Sequence, residues 1–262
     1  MVWFYNLPVW LTLPVFVLLF VGLSCGLLLA LRPWVKQVAV RTGEWDRVLG
    51  HAISMYGVFY GITLALVAVS VFQNFIRVDQ VVQDEVAELA AFYRNISGFP
   101  DPLAGQLQDL LRSYTQNVIT VDWPLQASGR LPIVGTAEVD QIQTLLFTFQ
   151  PSTEAQSNLQ GQAVEQFNAF VNARRYRINE TQLALPSLLW ALLWVGALIN
   201  QILISLIEVK EVLVHIIISS LISLFVAMLI YVTLQLDHPF YGAVIIEPSD
   251  YQTVLRDLMK PR

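Results

Sequence analysis

Four long stretches of this chain carry no Asp, Glu, Lys or Arg. They are the residues before Arg32, those between Arg47 and Arg77, those between Glu180 and Glu208, and those between Glu211 and Asp237. Crossing the hydrocarbon of a bilayer takes about 20 consecutive apolar residues in an α-helix, and each stretch is long enough. A core helix of a soluble protein keeps one face in water and has no reason to stay apolar all round over that length. The pattern therefore predicts four membrane spans, near Pro8 to Leu31, His51 to Gln73, Leu183 to Ile207 and Val212 to Leu236. The first is not expected to be a cleaved signal, because nothing basic precedes it and its apolar stretch is too long.

Between Arg77 and Gln182 the pattern becomes polar and acidic, with twelve carboxylates against seven arginines. Apolar residues there recur at helical spacing, as Val78, Val82, Val86, Leu89 and Phe92, then Leu107, Leu110, Leu111 and Tyr114. Asp101 before Pro102 marks a helix start, and Thr153 with Gln156 and Ser249 with Gln252 fit capping boxes. Trp123 to Thr136 holds Pro124, Gly129, Pro132 and Gly135 and reads as a loop. Arg77 follows the second span with no helix breaker, so that span is expected to run on as one long helix. The helical pattern of Val164 to Arg177 runs toward the third span in the same way.

The expected fold class is an all-α integral membrane protein. It has four transmembrane helices, with a helical extramembrane domain between spans two and three. Residues 1–76 hold the first two spans and a basic connecting loop, and 77–182 the acidic helical domain. Residues 183–236 form a transmembrane helical hairpin, and 237–262 a polar tail with a short helix.

Composition agrees: 55% of residues are hydrophobic and only 13% charged, against about 25% charged in a soluble domain. A net charge of −5 without a Lys/Arg-rich tract speaks against nucleic acid as a partner. The single cysteine, Cys25, allows no intrachain disulfide and reads as a small packing residue. His51, His215 and His238 are too scattered for a zinc site, so no metal and no cofactor is expected. No nucleophile elbow or phosphate-cradling loop occurs, which argues against an enzyme. Asp84, Glu85 and Glu88 lack the spacing of a calcium loop and read as a solvated helix face. Arg32, Lys36, Arg41 and Arg47 put the first loop in the cytoplasm, and hence the N-terminus, domain and C-terminus outside. Arg174, Arg175 and Arg177 pull the other way.

Polar and small residues within the spans are the candidates for function. On the second span Tyr56, Tyr60, Thr63, Val67, Ser70 and Asn74 form one stripe. A second stripe holds Gly50, Ser54, Gly57, Gly61, Ala65 and Ala68 and continues into Phe72 and Phe75. The small residues suit close helix packing in lipid. The polar stripe needs either another helix or water in a path shared among subunits. The third span carries Ser187, Trp190, Trp194, Ala197, Gln201 and Ser205, and the fourth His215, Ser219, Ser220 and Ser223. His215 reads as a structural hydrogen bond. No charged residue lies deep in any span, which speaks against a proton pump and suits a channel gated by hydrophobic constriction, with Phe72 and Phe75 as the candidates.

Several segments carry a family resemblance. His51 to Phe75, then Val81-Val82-Gln83-Asp84-Glu85 and Leu89 to Tyr93, resemble a widespread and mostly bacterial family of membrane proteins called bestrophin-like. Arg174-Arg175-Tyr176-Arg177, Leu185-Pro186 and Leu189-Trp190 add to the likeness. The most specific motif is Leu236-Asp237-His238-Pro239-Phe240-Tyr241-Gly242. The resemblance implies a relation to bestrophins, pentameric anion channels with four spans per subunit and a pore lined by the second. No bestrophin calcium clasp is recognisable.

The expected function is a homo-oligomeric channel for inorganic anions such as chloride or bicarbonate. Tyr56, Tyr60, Thr63, Ser70, Asn74, Phe72 and Phe75 are the pore-lining candidates. The alternative is a non-transporting scaffold or sensor whose domain binds a partner. The expected location is a bacterial inner or thylakoid membrane, with the lipid bilayer and further copies of the chain, five by analogy, as partners.

Overall fold

The computed structural model describes residues 7–41, 44–132, 135–181, 184–242 and 244–260. Among them the regular structure is helical, and four helices are long and apolar enough to cross a membrane. These are α1 (Val9–Arg41), α2 (Trp45–Ile96), α7 (Ser187–Ser205) and α8 (Val212–Leu236). The expected third-span start at Leu183 lies outside the described residues. Helix α2 runs unbroken for 52 residues, as the lack of a breaker at Arg77 predicts.

The chain divides into two compact units. The first contains the residues up to Asn74 together with Ala184–Asp237. Its apolar core sets Tyr60, Leu64, Val67 and Val71 of α2 against Leu193 and Ala197 of α7 and Val226 and Ile230 of α8. Lipid is as apolar as these side chains, so close packing and internal hydrogen bonds hold the helices together. Two polar clusters supply those bonds. In one, the Tyr231 hydroxyl joins the Thr12 hydroxyl at 2.6 Å and accepts from Gln235 Nε2 at 2.8 Å. In the other, Ser24 of α1 donates to Gln201 Oε1 of α7 at 2.6 Å and meets Ser219 and Ser223 of α8 at 3.0 and 2.7 Å.

The second unit contains Phe75–Leu183 and His238–Arg262. The tail after the fourth span, expected as a segment apart, folds into this unit. Besides the end of α2, it has α3 (Leu103–Asn117), α4 (Trp123–Ala127), α5 (Thr136–Thr148), α6 (Glu154–Glu180) and α9 (Ser249–Asp257). Its core includes Val78, Leu89, Phe92, Ile96, Leu107, Leu111, Ile142, Leu146 and Phe170. Each such side chain contributes about 1.5–3 kcal/mol by leaving water.

Local structure departs from expectation at three places. Trp123 to Thr136 is not all loop: a π-helical turn, Val118–Asp122, carries α3 into α4. Pro124 sits in the first turn of α4, where a missing N–H costs nothing. Helix α3 starts at Leu103 with Pro102 at the cap position, so Asp101 stands one residue outside it. Ser249 lies inside α9, whose cap position is Pro248, so that capping box does not form. The other box does: Thr153 Oγ1 accepts from Gln156 N at 3.2 Å. Gln156 Oε1 reaches back to the backbone N–H of Ser152 at 2.8 Å.

Candidate functional site

Helix α2 has one covered arc and one open arc within the first unit. On the covered arc, the Tyr56 hydroxyl donates to the carbonyl of Gly196 at 2.6 Å. One turn later, Tyr60 donates to the carbonyl of Leu193 at 3.2 Å. The two rings stack with centroids 5.9 Å apart. Gly196 makes this approach possible, since a Cβ there would stand 2.4 Å from Tyr60 Cε2. In hydrocarbon an unpaired hydroxyl is costly, and α7 meets the need of both tyrosines inside one chain.

Other residues of the polar stripe are arranged differently. Thr63 donates to the Phe59 carbonyl of its own helix at 2.8 Å, Ser70 is exposed, and Asn74 is half-buried. Phe72 is 51% exposed. Phe75 belongs to the second unit and packs on its core. The two phenylalanines paired as gate candidates thus have different surroundings.

The small-residue stripe is open. Gly57, Gly61 and Ala65 are exposed and Ala68 is half-buried, and a Cβ placed at either glycine would meet no atom within 4 Å. Among the described residues, no helix of the first unit fills the notch that they form. Around them Val58, Phe59, Ile62, Leu66 and Val69 are also exposed. The open arc of α2 is mostly apolar, with the exposed Ser54 and Ser70 among its apolar residues, and is indented by small residues.

The remaining intramembrane candidates bond within or between helices of the chain. His215 bonds the Ile204 carbonyl at 3.0 Å, and Ser205 bonds the Gln201 carbonyl at 2.7 Å. Cys25 lies 3.4 Å from the Ser220 hydroxyl in a packing contact. Beside the Ser24 and Gln201 cluster is a cavity of about 180 Å³, walled by Phe20, Leu23, Leu27, Trp194 and Leu198.

The motif after the fourth span is a structural clamp. Asp237 Oδ1 accepts from the backbone N–H of Leu185 at 2.7 Å, and Oδ2 from Trp190 Nε1 at 3.0 Å. In the second unit Pro239 is buried, its carbonyl accepts from Ile246 N at 2.9 Å, and Phe240 meets Trp123 edge to face at 5.5 Å. Gly242 has φ +126°, a conformation that favours glycine.

One cluster was not expected. Arg177 is fully buried in the second unit. Its Nε donates to Glu85 Oε2 at 2.6 Å, Nη2 to Asp122 Oδ2 at 3.2 Å, and Nη1 to Gln126 Oε1 at 2.8 Å. Trp123 and Tyr251 flank the guanidinium, each ring centroid 5.8 Å from it, and the Tyr114 hydroxyl donates to Glu85 Oε1. Burial, then the charge of Glu85, pushes the Tyr114 hydroxyl well above its ordinary range. Glu85 is therefore not part of a solvated face, and Arg177 does not offer its charge to the membrane surface. A signal for both was present in the spacing. Glu85 lies seven residues from Val78 and from Phe92, and Arg177 seven from Phe170, on the buried faces of their helices.

Comparison with known proteins agrees with this architecture. A family model described as Bestrophin-like, a bestrophin-like domain, matches residues 18–251. Two solved variants of a bacterial bestrophin homologue from Klebsiella pneumoniae have TM-scores of 0.68 and 0.66 to the chain. Each is 12% identical, over 93% of this chain and 97% of its own. The Klebsiella pneumoniae homologue solved by zinc phasing gives 0.63 at 12% identity, over 92% and 97%. No curated protein matches the sequence.

Proposed function

The chain belongs to the bestrophin-like family, and from that premise we propose that it is one subunit of a homo-oligomeric channel for inorganic anions such as chloride or bicarbonate, with α2 facing the path. The observation that carries this reading is the open arc of α2. The opposite arc is packed inside the chain, with both tyrosine hydroxyls bonded to α7. The open arc is mostly apolar, indented and unfilled among the described residues. Four helices are too few to enclose a wide path, so several copies surround it.

Within that reading the residues take separate roles. Tyr56 and Tyr60 fix the rotation of α2 against α7, and in doing so turn Phe72 and Ser70 toward the open side. Phe72 is the constriction, closing by exclusion of water from a ring of phenyl groups. Gly57, Gly61, Ala65 and Ala68 receive a helix of the next copy, as small residues do in lipid. Five copies follow the resemblance to bestrophins.

Purified protein in liposomes tests the reading. Anion flux above that of empty vesicles is expected, and Phe72→Ala changes its rate. No flux, together with a monomer or a dry dimer in detergent, would sink the channel and leave a non-transporting scaffold or sensor.

A further inference from the structure

The ionic groups buried in the second unit do not balance. Arg177 brings one positive charge and Glu85 and Asp122 two negative ones, with side-chain exposures of 0%, 0% and 1%. The two carboxylates are not equivalent. Glu85 accepts from Arg177 Nε at 2.6 Å through one oxygen, and from the Tyr114 hydroxyl and Arg177 Nη2 through the other. Asp122 has a single contact of 3.2 Å to Arg177 through Oδ2, and its Oδ1 is buried without a hydrogen-bond partner. An ionised oxygen left bare in a medium of low dielectric is costly, and a carboxylate so placed takes up a proton instead.

The geometry points to a proton held on Asp122 in the folded domain, a buried carboxylic acid beside the Arg177 and Glu85 pair that makes the stability of the domain depend on pH. With the proton, the fully buried groups reduce to the neutral Arg177 and Glu85 pair, the half-buried Arg174 lying at their edge. The groups facing it are Glu85 from α2, Tyr114 from α3, Arg174 and Arg177 from α6, and Tyr251 from α9. Tyr114 and Tyr251 stay neutral, because burial pushes both hydroxyls up. Arg177 and Arg174 favour the ionised carboxylate, and burial and Glu85 oppose it. The net result is a carboxyl raised above its usual range, with burial the largest cause. Among the described residues no cluster suited to a metal ion is found.

The sign of the pH effect follows from linkage. A group whose folded value lies above its unfolded one contributes full stability at low pH, and that contribution is lost as pH rises through the folded value. The midpoint of thermal unfolding of the full-length protein in detergent is thus expected to fall as pH rises above about 4, the ordinary carboxylate value, until Asp122 ionises in the folded domain. In Asp122→Asn that loss should vanish, with a midpoint at or above wild type at the higher pH. As pH is raised from about 4, infrared spectra of wild type should show the carbonyl stretch of one protonated carboxyl persisting after the ordinary carboxyls have ionised, absent in Asp122→Asn. It should vanish also in Glu85→Gln, where Asp122 becomes the only anion left to Arg177. Two results would overturn the inference: an Asp122→Asn protein as destabilised as Glu85→Gln or unable to accumulate folded, or no protonated-carboxyl band in wild type.

Discussion

The ring of Tyr60 occupies the space that a side chain at Gly196 would need, since a Cβ there would stand 2.4 Å from Tyr60 Cε2. Gly196→Ala is therefore an overpacking substitution, costing about 1–3 kcal/mol. Tyr60→Phe keeps the ring and loses one intramembrane hydrogen bond, averaging about 0.6 kcal/mol. Thermal unfolding in detergent should rank the alanine variant below the phenylalanine variant. The reverse order would mean that the hydroxyl, and not the close packing, positions α2.

Phe72 and Phe75 separate by readout. Phe72→Ala is expected to change anion flux several-fold in liposomes and to leave thermal stability near wild type. Phe75 is partly buried against the core of the second unit, so its alanine variant should lose up to about 3 kcal/mol, with little direct effect on flux. Equal effects of the two on flux would contradict the assignment of the constriction to Phe72.

Removing Arg177 leaves the buried Glu85 uncompensated, and removing Glu85 leaves Arg177 only the single 3.2 Å contact to Asp122. Glu85→Gln or Arg177→Met alone should cost about 3–5 kcal/mol, measured by denaturant unfolding. Replacing Glu85, Asp122 and Arg177 together with apolar residues of similar volume should restore most of that loss. A triple variant no more stable than either single one would show that the ionic cluster itself is needed for the fold.

A single cysteine at Gln252, an exposed position in α9, reports which side of the membrane holds the C-terminus once Cys25 is replaced by serine. The basic residues Arg32, Lys36 and Arg47, on the helix ends that join the first two spans, predict labelling from outside by a reagent that cannot cross the bilayer. Labelling only after the inner side is exposed would show that Arg174 and Arg175, before the third span, decide the topology instead.

Gaps between charged residues located all four long helices, because one ion in hydrocarbon outweighs many local preferences. Helix ends were less legible. Asp101 and Ser249 have the right chemistry for caps, but the chain places Pro102 and Pro248 at the cap positions. Pro124 and Gly129 suggested a loop, although proline is well tolerated in a first turn, which is where Pro124 lies. Glu85 was hidden by its neighbours, Asp84 and Glu88 giving the whole segment a solvated look; only its register with Val78 and Phe92 pointed inward. The partner of the polar stripe was the hardest to read. That Tyr56 and Tyr60 bond α7 carbonyls depends on a glycine 140 residues from Tyr56, a relation that no local pattern encodes.

The clamp at Asp237 also constrains the order of events during synthesis. Leu185 N and the Trp190 indole, which open the third span, find their acceptor 52 and 47 residues downstream. When the third helix leaves the ribosome, the carboxylate that fixes its beginning has not yet been made. That end must wait, hydrated or held by the insertion machinery, until the fourth helix has followed. A nascent chain stalled before residue 237 would therefore present an unsecured third span, and one stalled well beyond it a locked hairpin.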